Sequence, residues 1–308
     1  RFISMNMEQI DKVIEGSEIC REGSGIRLSL ADRWILDRLA SVCAETSSAL
    51  GEYRFNDAAS ILYQFVWHEL CDWYVELIKP VLYGEDAEAK AAAVSTLVHV
   101  FEIALSLLHP FMPFVTEELW QHLPCLRGGD SLCIRTYPTT ADGLSDDKSH
   151  AEMEIVMDAI TGIRSIRGEL NIAPSLELKA VIQTAHGADA VLNENLLYIS
   201  KLAKTSELVI GNDVSIPANA GTAVKDKMEI FVPLEGLVDV EAEIARLSKD
   251  LKKVEADIQF VEKKLANKNF VDKAPAAVLE ETKTKQRDYA ETALAIRENM
   301  AKLKQCSG

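Results

Sequence analysis

Two groups of side chains combine residue types that bind phosphates and stack on nucleobases. Arg33 and Arg38 flank Trp34 on one predicted helix, so guanidinium charge stands near an indole ring, and a single-stranded loop needs both. Arg164 and Arg167 lie three residues apart, which places both guanidinium groups on one face of a helix. The alternatives are core burial of Trp34 and ion pairing of the two later arginines with an acidic surface.

A third group is a basic stripe on a predicted helix near the C-terminus. At about 100° per residue, its six cations fall within roughly 120° of one another, opposite an apolar seam. The basic stripe consists of Arg246, Lys249, Lys252, Lys253, Lys263 and Lys264. The ordinary interpretation of such charges is a solvated outer face. The alternative is a surface that lies along the phosphate backbone of a nucleic acid.

The sequence contains no convincing set of catalytic residues. A glycine-rich phosphate loop, a Gly-x-Ser-x-Gly motif and a His-Glu-x-x-His motif are all missing. His68, Cys71 and Asp72 resemble a nucleophile with its base, but they stand on the most apolar predicted helix. This position favours packing in the core over catalysis. No catalytic residue is therefore predicted.

The cysteines indicate a reducing compartment and no metal centre. Six cysteines are spread over the chain without the spacing of a disulfide framework, which favours the cytoplasm and leaves an organelle open. The only metal-like grouping is His122, Cys125 and Cys133, and it lacks the fourth ligand that structural zinc almost always takes. We expect no metal and no cofactor in this chain.

The acidic composition at first argues against nucleic acid as a partner. The 308 residues contain 33 basic and 48 acidic side chains, and a net charge of −15 repels polyanions. The charge is uneven, however, because residues 238–304 contain 14 basic and 13 acidic residues and the rest of the chain has a net charge of −16. No apolar run approaches the roughly 18–20 residues of a membrane helix, so no membrane span is predicted. The start at Arg1, without a signal peptide, suggests a piece of a longer protein.

Helical periodicity predicts an antiparallel helical bundle in the first part of the chain. Ser29 and Asp32 form a capping-box pattern that opens the first helix. The second helix begins near Asn56 and ends at Lys79-Pro80, and residues 61–78 are apolar nearly all round, which predicts a central position. The third helix runs from about Ala87 to before Pro110, and the fourth from Pro113 to Pro124.

The rest of the chain predicts a small α+β subdomain followed by a coiled coil. A helix over 151–168 precedes strands near 176–182, 208–210 and 229–232, with a helix over 188–203 between the first two. Two heptad runs follow, over 240–265 and 279–303, separated by a polar break. Their matched lengths favour an antiparallel two-helix coiled coil, and pairing with another chain is the alternative. The predicted fold class is mainly α.

Three segments resemble the anticodon-binding helical bundle of the class I synthetases for valine, isoleucine and leucine. They are residues 30–36 (LADRWIL), 67–76 (WHELCDWYVE) and 109–120 (HPFMPFVTEELW). Residues 233–239 (PLEGLVD) and 264–275 (KLANKNFVDKAP) are similar to the C-terminal arm of valyl-tRNA synthetases. The resemblance covers essentially the whole chain. The adenylation motifs of that family, His-Ile-Gly-His and Lys-Met-Ser-Lys-Ser, do not occur in it.

The resemblance implies the tRNA-recognition region of a class I valine–tRNA ligase. Its partner would be tRNA(Val), with no membrane contact and as a monomer, and ATP and Mg²⁺ would belong to the parent enzyme. Arg33, Trp34, Arg38, Arg164 and Arg167 would serve the anticodon side, and the basic stripe would contact the tRNA elbow. A non-catalytic coiled-coil adaptor or structural protein is the alternative. The implied segments are a lead-in (1–27), the anticodon-binding bundle (28–124), a linker (125–150), a helix with the α+β subdomain (151–237) and the arm (238–308).

Overall fold

The computed structural model describes residues 2–6, 10, 27–123, 131–185, 187–234 and 240–266, with nine further residues between 284 and 297. The chain divides into two compact units, residues 1–158 with 194–202, and residues 159–193 with 203–308. Helices dominate, and the described strands form one four-stranded sheet. This confirms the mainly α prediction with a small β-containing part. The five predicted segments stay a prediction.

Helix α1, Leu30–Gly51, begins where the capping box predicts. The Asp32 N–H donates to Ser29 Oγ at 3.2 Å, and the Ser29 N–H donates to Asp32 Oδ2 at 3.0 Å, so two N–H groups that the helix leaves unpaired are satisfied. Trp34, Ile35 and Leu39 are buried on the inner face. A purely local sequence pattern therefore sets the start of the helix that carries Arg33 and Arg38.

The second predicted helix is one continuous helical stretch in three parts. These are α2 (Phe55–Tyr63), a π-helical segment (Gln64–Tyr74) and α3 (Val75–Leu82). Within the π segment the buried residues Phe65 and Leu70 are five apart, which fits i→i+5 hydrogen bonding. The predicted end at Lys79-Pro80 is wrong, because the Tyr83 N–H donates to the Lys79 carbonyl across the proline.

The central helix of the bundle is α4, Ala87–Leu108, and not the second predicted helix. Asp86 caps it by accepting from the N–H groups of Glu88 and Ala89, both at 3.0 Å. Its residues 92–100 are all buried, whereas Tyr63 and Trp67 of the other stretch are exposed. Among the described helices, α4 alone has the length and composition of a membrane-crossing helix, and 83% of that stretch is buried inside the structure.

Two further helices follow α4 along the chain. Helix α5, Pro113–Gln121, starts at the predicted proline. Helix α6, Asp147–Glu169, begins four residues before the predicted start because Asp146 Oδ1 accepts from the Ser149 N–H at 3.0 Å and caps it. Short 3₁₀ turns lie over Leu132–Ile134 and Thr140–Asp142.

The sheet has the strand order β2-β1-β4-β3. Strands β1 and β2 pair in parallel, and β4 pairs antiparallel with both β1 and β3. Helices α7 (Ala188–Glu194) and α8 (Leu196–Ala203) lie between β1 and β2 along the chain. The strands are β1 (Leu178–Thr184), β2 (Thr205–Gly211), β3 (Ala220–Lys225) and β4 (Met228–Pro233).

Strand β3 is the one strand that the sequence pattern does not predict. Its residues are small, and Gly221 is required because a Cβ there would lie 2.6 Å from an Ile166 methyl group and 2.7 Å from a Leu170 methyl group. The strand is set by long-range packing. Helix α9, Val240–Ala266, follows the sheet and coincides with the first predicted heptad run.

Candidate nucleic-acid interface

Arg33 is turned toward acidic groups of its own unit. Its Nη1 donates to Asp146 Oδ2 at 2.6 Å, and its Nη2 lies 3.6 Å from Glu152 Oε2. The neighbouring Trp34 is only 3% exposed, so its ring packs in the core and offers no face for stacking in this structure. Core burial is the alternative that the sequence left open for Trp34. The anticodon contacts of Arg33 and Trp34 stay a prediction.

Arg38 uses its guanidinium fork inside the bundle. Its Nε and Nη2 donate to the two carboxylate oxygens of Glu69 at 2.8 and 3.1 Å, a bidentate pairing. Both side chains are about one-fifth exposed, at 22% and 23%. The same fork geometry suits a phosphate, but here it ties α1 to the π segment. A phosphate contact by Arg38 would have to displace Glu69.

A buried pair of groups fixes α1 against the π segment. The Tyr74 hydroxyl donates to Asp32 Oδ1 at 2.7 Å, and the Ser29 hydroxyl donates to Asp32 Oδ2 at 2.6 Å. Burial raises the pKa of the Asp32 carboxyl, although the hydrogen bonds from Ser29 and Tyr74 oppose it. Burial also raises the pKa of Tyr74 well above its usual value. The helix that carries Arg33 and Arg38 is therefore rigidly held at its start.

Arg167 binds backbone carbonyls, whereas Arg164 is exposed. The Nη1 of Arg167 donates to the carbonyls of Ala173 and Leu176 at 3.0 and 2.9 Å, and its Nη2 donates to those of Ala203 and Lys204 at 3.1 and 3.3 Å. Desolvation lowers the pKa of this guanidinium. Its donors are thus used to join the end of α6 to the segments before β1 and β2. Roles of Arg164 and Arg167 on the anticodon side stay predictions.

The basic stripe lies on the exposed face of α9. In the opposite seam, Val261 is buried and its seam neighbours are partly buried. The side chain of Arg246 lies outside the described residues. The remaining members are all exposed, namely Lys249, Lys252, Lys253, Lys263 and Lys264. An exposed line of lysines on one helix provides point charges that a polyphosphate backbone can approach.

The structure contains an aromatic groove on the bundle that the sequence did not predict. The rings of Tyr63 and Trp67 stack at an interplanar angle of 5° with centroids 6.3 Å apart, and both residues are more than half exposed. With Phe111 and Met112 they line a cavity of about 560 Å³. Such planar, exposed rings suit an unpaired base or an apolar partner surface. The i, i+4 spacing of the two rings is the sequence signal for this surface.

The candidate nucleophile set is on the surface and not in the core. His68, Cys71 and Asp72 are all exposed, which corrects the predicted packed position. His68 Nδ1 lies 3.1 Å from Asp72 Oδ2, one helical turn away. The reason lies in the helix itself. Phe65, Leu70 and Tyr74 form the buried face of the π segment, and the three candidate residues lie outside that face. The three residues form an ordinary surface cluster.

The metal-like grouping seen in the sequence is not formed by the described residues. His122 Nδ1 lies 2.8 Å from the Glu118 carbonyl oxygen, and Cys125 lies outside the described residues. Cys133 has a different neighbour, since its Sγ lies 3.1 Å from His109 Nε2. Glu117 completes this second group, in which all donor atoms lie within 4.8 Å of one another. These are the described residues that are able to hold a metal ion.

Two family models match different parts of the chain. The anticodon-binding domain of tRNA ligase matches residues 32–182, which include most of α1, all of α2 to α6 and most of β1. The valyl tRNA synthetase tRNA binding arm matches residues 239–304, which include α9 and the basic stripe.

Valine–tRNA ligases are similar to nearly the whole chain. The protein from Syntrophotalea carbinolica is 45% identical over 98% of the chain, and those from Geobacter sulfurreducens and Geobacillus stearothermophilus are 44% and 40% identical over 92% and 90%. The matched regions are 33%, 32% and 31% of these proteins, so the chain spans about a third of the length of the curated relatives it matches.

Proposed function

Residues 32–182 belong to the anticodon-binding domains of tRNA ligases and residues 239–304 to the tRNA-binding arms of valyl-tRNA synthetases, and from this we propose that the chain is the tRNA-recognition region of a class I valine–tRNA ligase. The bundle receives the anticodon stem-loop of tRNA(Val), and the arm supports the elbow. The chain positions tRNA for ATP-dependent aminoacylation carried out elsewhere in the enzyme. The observation that carries the proposal is the presence of two tRNA-binding families on separate parts of one chain.

We further propose that the arm is an antiparallel coiled coil within one chain. Arg297 Nη2 donates to Glu255 Oε1 at 2.6 Å, which brings residues 42 apart in sequence together. Val261 and Ala293 are both buried, at 7% and 2% exposure. Residues 255 and 297 have their midpoint at 276, within the polar break between the two heptad runs, as a hairpin requires. In the second run Tyr289 is also partly buried, in register with the predicted seam.

In this proposal the basic stripe supplies the elbow contact. Pairing through the seam turns the opposite face, with its exposed lysines, toward solvent and tRNA. The acidic remainder of the chain, with a net charge of −16, repels polyanions in general and limits non-specific binding. Only the lysine face of the arm therefore attracts phosphates, and this favours a nucleic acid whose shape brings its backbone against that face.

The bundle arginines have a different role in the proposal. Arg33, Arg38 and Arg167 hold the anticodon-binding unit and the α6 end in shape through Asp146, Glu69 and backbone carbonyls. They contact tRNA only where binding exchanges these partners for phosphates.

The salt dependence of tRNA binding tests the basic stripe. Lys249, Lys252, Lys253 and Lys263 are changed together to Gln in the full chain, and tRNA affinity is measured over a range of salt concentrations. Each lost phosphate contact reduces the slope of log K against log salt by about 0.7–0.9. We expect the slope to fall by roughly two to four units.

A matched variant controls for net charge. Lys148, Lys179, Lys201 and Lys227 are exposed lysines outside the arm, and changing all four to Gln gives the same charge difference. We expect this control to retain the wild-type slope. An unchanged slope in the arm variant, or an equal drop in both, would show that the basic stripe is only a solvated face.

The proposal extends to the enzyme as a whole. The parent enzyme uses ATP and Mg²⁺ in a catalytic domain outside this chain, acts on tRNA(Val) as a monomer and works in the cytoplasm. Support comes from the relatives, which are valine–tRNA ligases, and from six cysteines without a disulfide framework. We expect the chain alone to bind tRNA and to show no valine-dependent pyrophosphate exchange.

A further inference from the structure

Three side chains of the first unit place a nitrogen, an oxygen and a sulfur donor close together. His109 follows the end of α4, Glu117 lies on α5, and Cys133 lies in the 3₁₀ turn Leu132–Ile134. Their ligand atoms lie within 4.8 Å of one another, and His109 Nε2 is 3.1 Å from Cys133 Sγ. From this convergence we propose that His109, Glu117 and Cys133 form a zinc site.

Thr116 determines which nitrogen of His109 is available as a ligand. The Thr116 hydroxyl lies 3.0 Å from the Met112 carbonyl and 3.2 Å from the Pro113 carbonyl, so its single hydrogen is donated within the helix. The Thr116 oxygen therefore accepts a hydrogen bond from His109 Nδ1, which lies 2.8 Å away. The proton sits on Nδ1, and the lone pair of Nε2 faces Cys133. This is how proteins fix the ring of a metal-binding histidine.

Glu117 is held as a charged ligand. Its Oε2 accepts from the Leu132 N–H at 2.9 Å and from the Ser131 hydroxyl at 3.1 Å, and its Oε1 accepts from Gln121 Nε2 at 2.8 Å. The hydrogen bond from Gln121 is the main cause that lowers the pKa of this carboxyl. A carboxylate oxygen has more than one lone pair, so these bonds leave acceptor capacity for a cation.

The donor set selects the metal. Thiolate and imidazole exclude the hard cations Mg²⁺ and Ca²⁺, which take oxygen ligands, and they suit Zn²⁺. Bonds of about 2.0–2.3 Å place neighbouring zinc ligands roughly 3.3–3.8 Å apart, so the three atoms converge to within about 1 Å of a coordination geometry. A thiolate, a carboxylate and a neutral imidazole together carry two negative charges, which would balance the charge of Zn²⁺. Three protein ligands leave the fourth position to water, which would make this an open zinc site and not a closed four-ligand one.

The consequence of this site is mechanical. Zinc would join α5 to the turn at Leu132–Ile134, across residues that are distant in sequence. Since the ligands converge only in the folded chain, binding would stabilise the folded state. The ion would thereby support the bundle.

Cobalt and zinc titration of the chelator-treated full chain tests the site. We expect one equivalent of Co²⁺ to bind with a thiolate-to-cobalt charge-transfer band, and Zn²⁺ to displace it and to raise the melting temperature. Cys133→Ser replaces an exposed thiol conservatively and should abolish the band and weaken Zn²⁺ binding at least tenfold. His109→Gln should weaken Zn²⁺ binding to a similar extent. Cys71→Ser, at another exposed cysteine of the same unit, is the matched control and should bind as the wild type does.

Three results would overturn the proposal. They are a wild-type chain without the charge-transfer band, a Cys133→Ser variant with wild-type affinity, and a Cys71→Ser variant that loses binding to the same extent. Circular dichroism of each variant before titration shows that the compared chains are folded. Because tRNA affinity is measured separately, failure here leaves the proposed function intact.

Discussion

Asp146 joins two parts of the first unit through one carboxylate. Its Oδ1 caps α6 through the Ser149 N–H, and its Oδ2 accepts from Arg33 Nη1. Burial acts to raise the pKa of Asp146, but the hydrogen bonds from Ser149 and Arg33 outweigh it and hold this pKa below its usual value. The stabilisation by Asp146 is therefore present at neutral pH and is lost as the pH falls through the lowered pKa.

We expect Asp146→Asn to reduce the free energy of unfolding at pH 7 by about 1–2 kcal/mol, because the charge-assisted hydrogen bond from Arg33 and the negative charge at the start of α6 are lost, although an asparagine oxygen can still cap the helix. The difference from wild type should narrow as the pH falls through the lowered pKa of Asp146, because the wild-type carboxyl then becomes protonated as well. Denaturant unfolding at several pH values measures both effects. The exposed neighbour Asp147→Asn is the control and should change stability by no more than about 0.5 kcal/mol. A pH-independent difference would contradict the assignment.

Local residue patterns were predictable, and long-range partners were not. Ser29 and Asp32 are three residues apart, and the backbone alone brings them together, so their capping box is visible in the sequence. Asp146 and Arg33 are 113 residues apart, and only the fold decides that they meet. For this reason the sequence showed Arg33 and Arg38 as candidate phosphate ligands, but it did not show the carboxylates that pair with them.

At the scale of elements, the arm offers two adjacent positions with opposite environments. Val261 is 7% exposed in the seam, whereas Phe260 beside it is 68% exposed. We expect Val261→Asp to place a charge in the seam and unfold the arm, and Phe260→Asp to leave it folded. Circular dichroism and protease resistance of residues 238–308 measure the difference. Equal sensitivity of the two variants would contradict the proposed seam.

Sedimentation separates a hairpin from pairing between chains. In a hairpin, helix content and mass are independent of protein concentration. A concentration-dependent dimer that Val261→Asp converts to a folded monomer would favour the adaptor alternative.

Helices with local start signals were predicted well, and elements that depend on long-range packing were not. The starts of α1, α4 and α5 follow from a capping box, an aspartate cap and a proline, which are local features. The π segment and β3 have no comparable signal. Apolar residues on several sides of 61–78 suggested a central helix, but the π segment buries Phe65, Leu70 and Tyr74 and leaves Trp67 exposed, and Tyr63 just before it is exposed as well.

At the scale of the whole molecule, net charge is a poor guide to the partner. The sum of −15 hides an acidic body and a nearly neutral arm whose lysines share one face. Electrostatic attraction falls off within about 10 Å at ordinary salt concentrations, so a nucleic acid responds to the surface it faces and not to the total. One family model matches part of the acidic region, residues 32–182, and the other matches the nearly neutral arm, residues 239–304.

This separation predicts the result of removing the arm. Residues 1–237 contain 19 basic and 35 acidic residues, so a chain ending at 237 keeps the matched bundle region and a net charge of −16. Two linked contacts bind more tightly than either alone, and we expect the shortened chain to bind tRNA at least about tenfold more weakly at low salt. Its remaining affinity should vary little with salt, because the phosphate contacts of the basic stripe are gone. Titration of both chains with tRNA over a salt series measures this. Wild-type affinity and slope in the shortened chain would assign tRNA binding to the bundle alone.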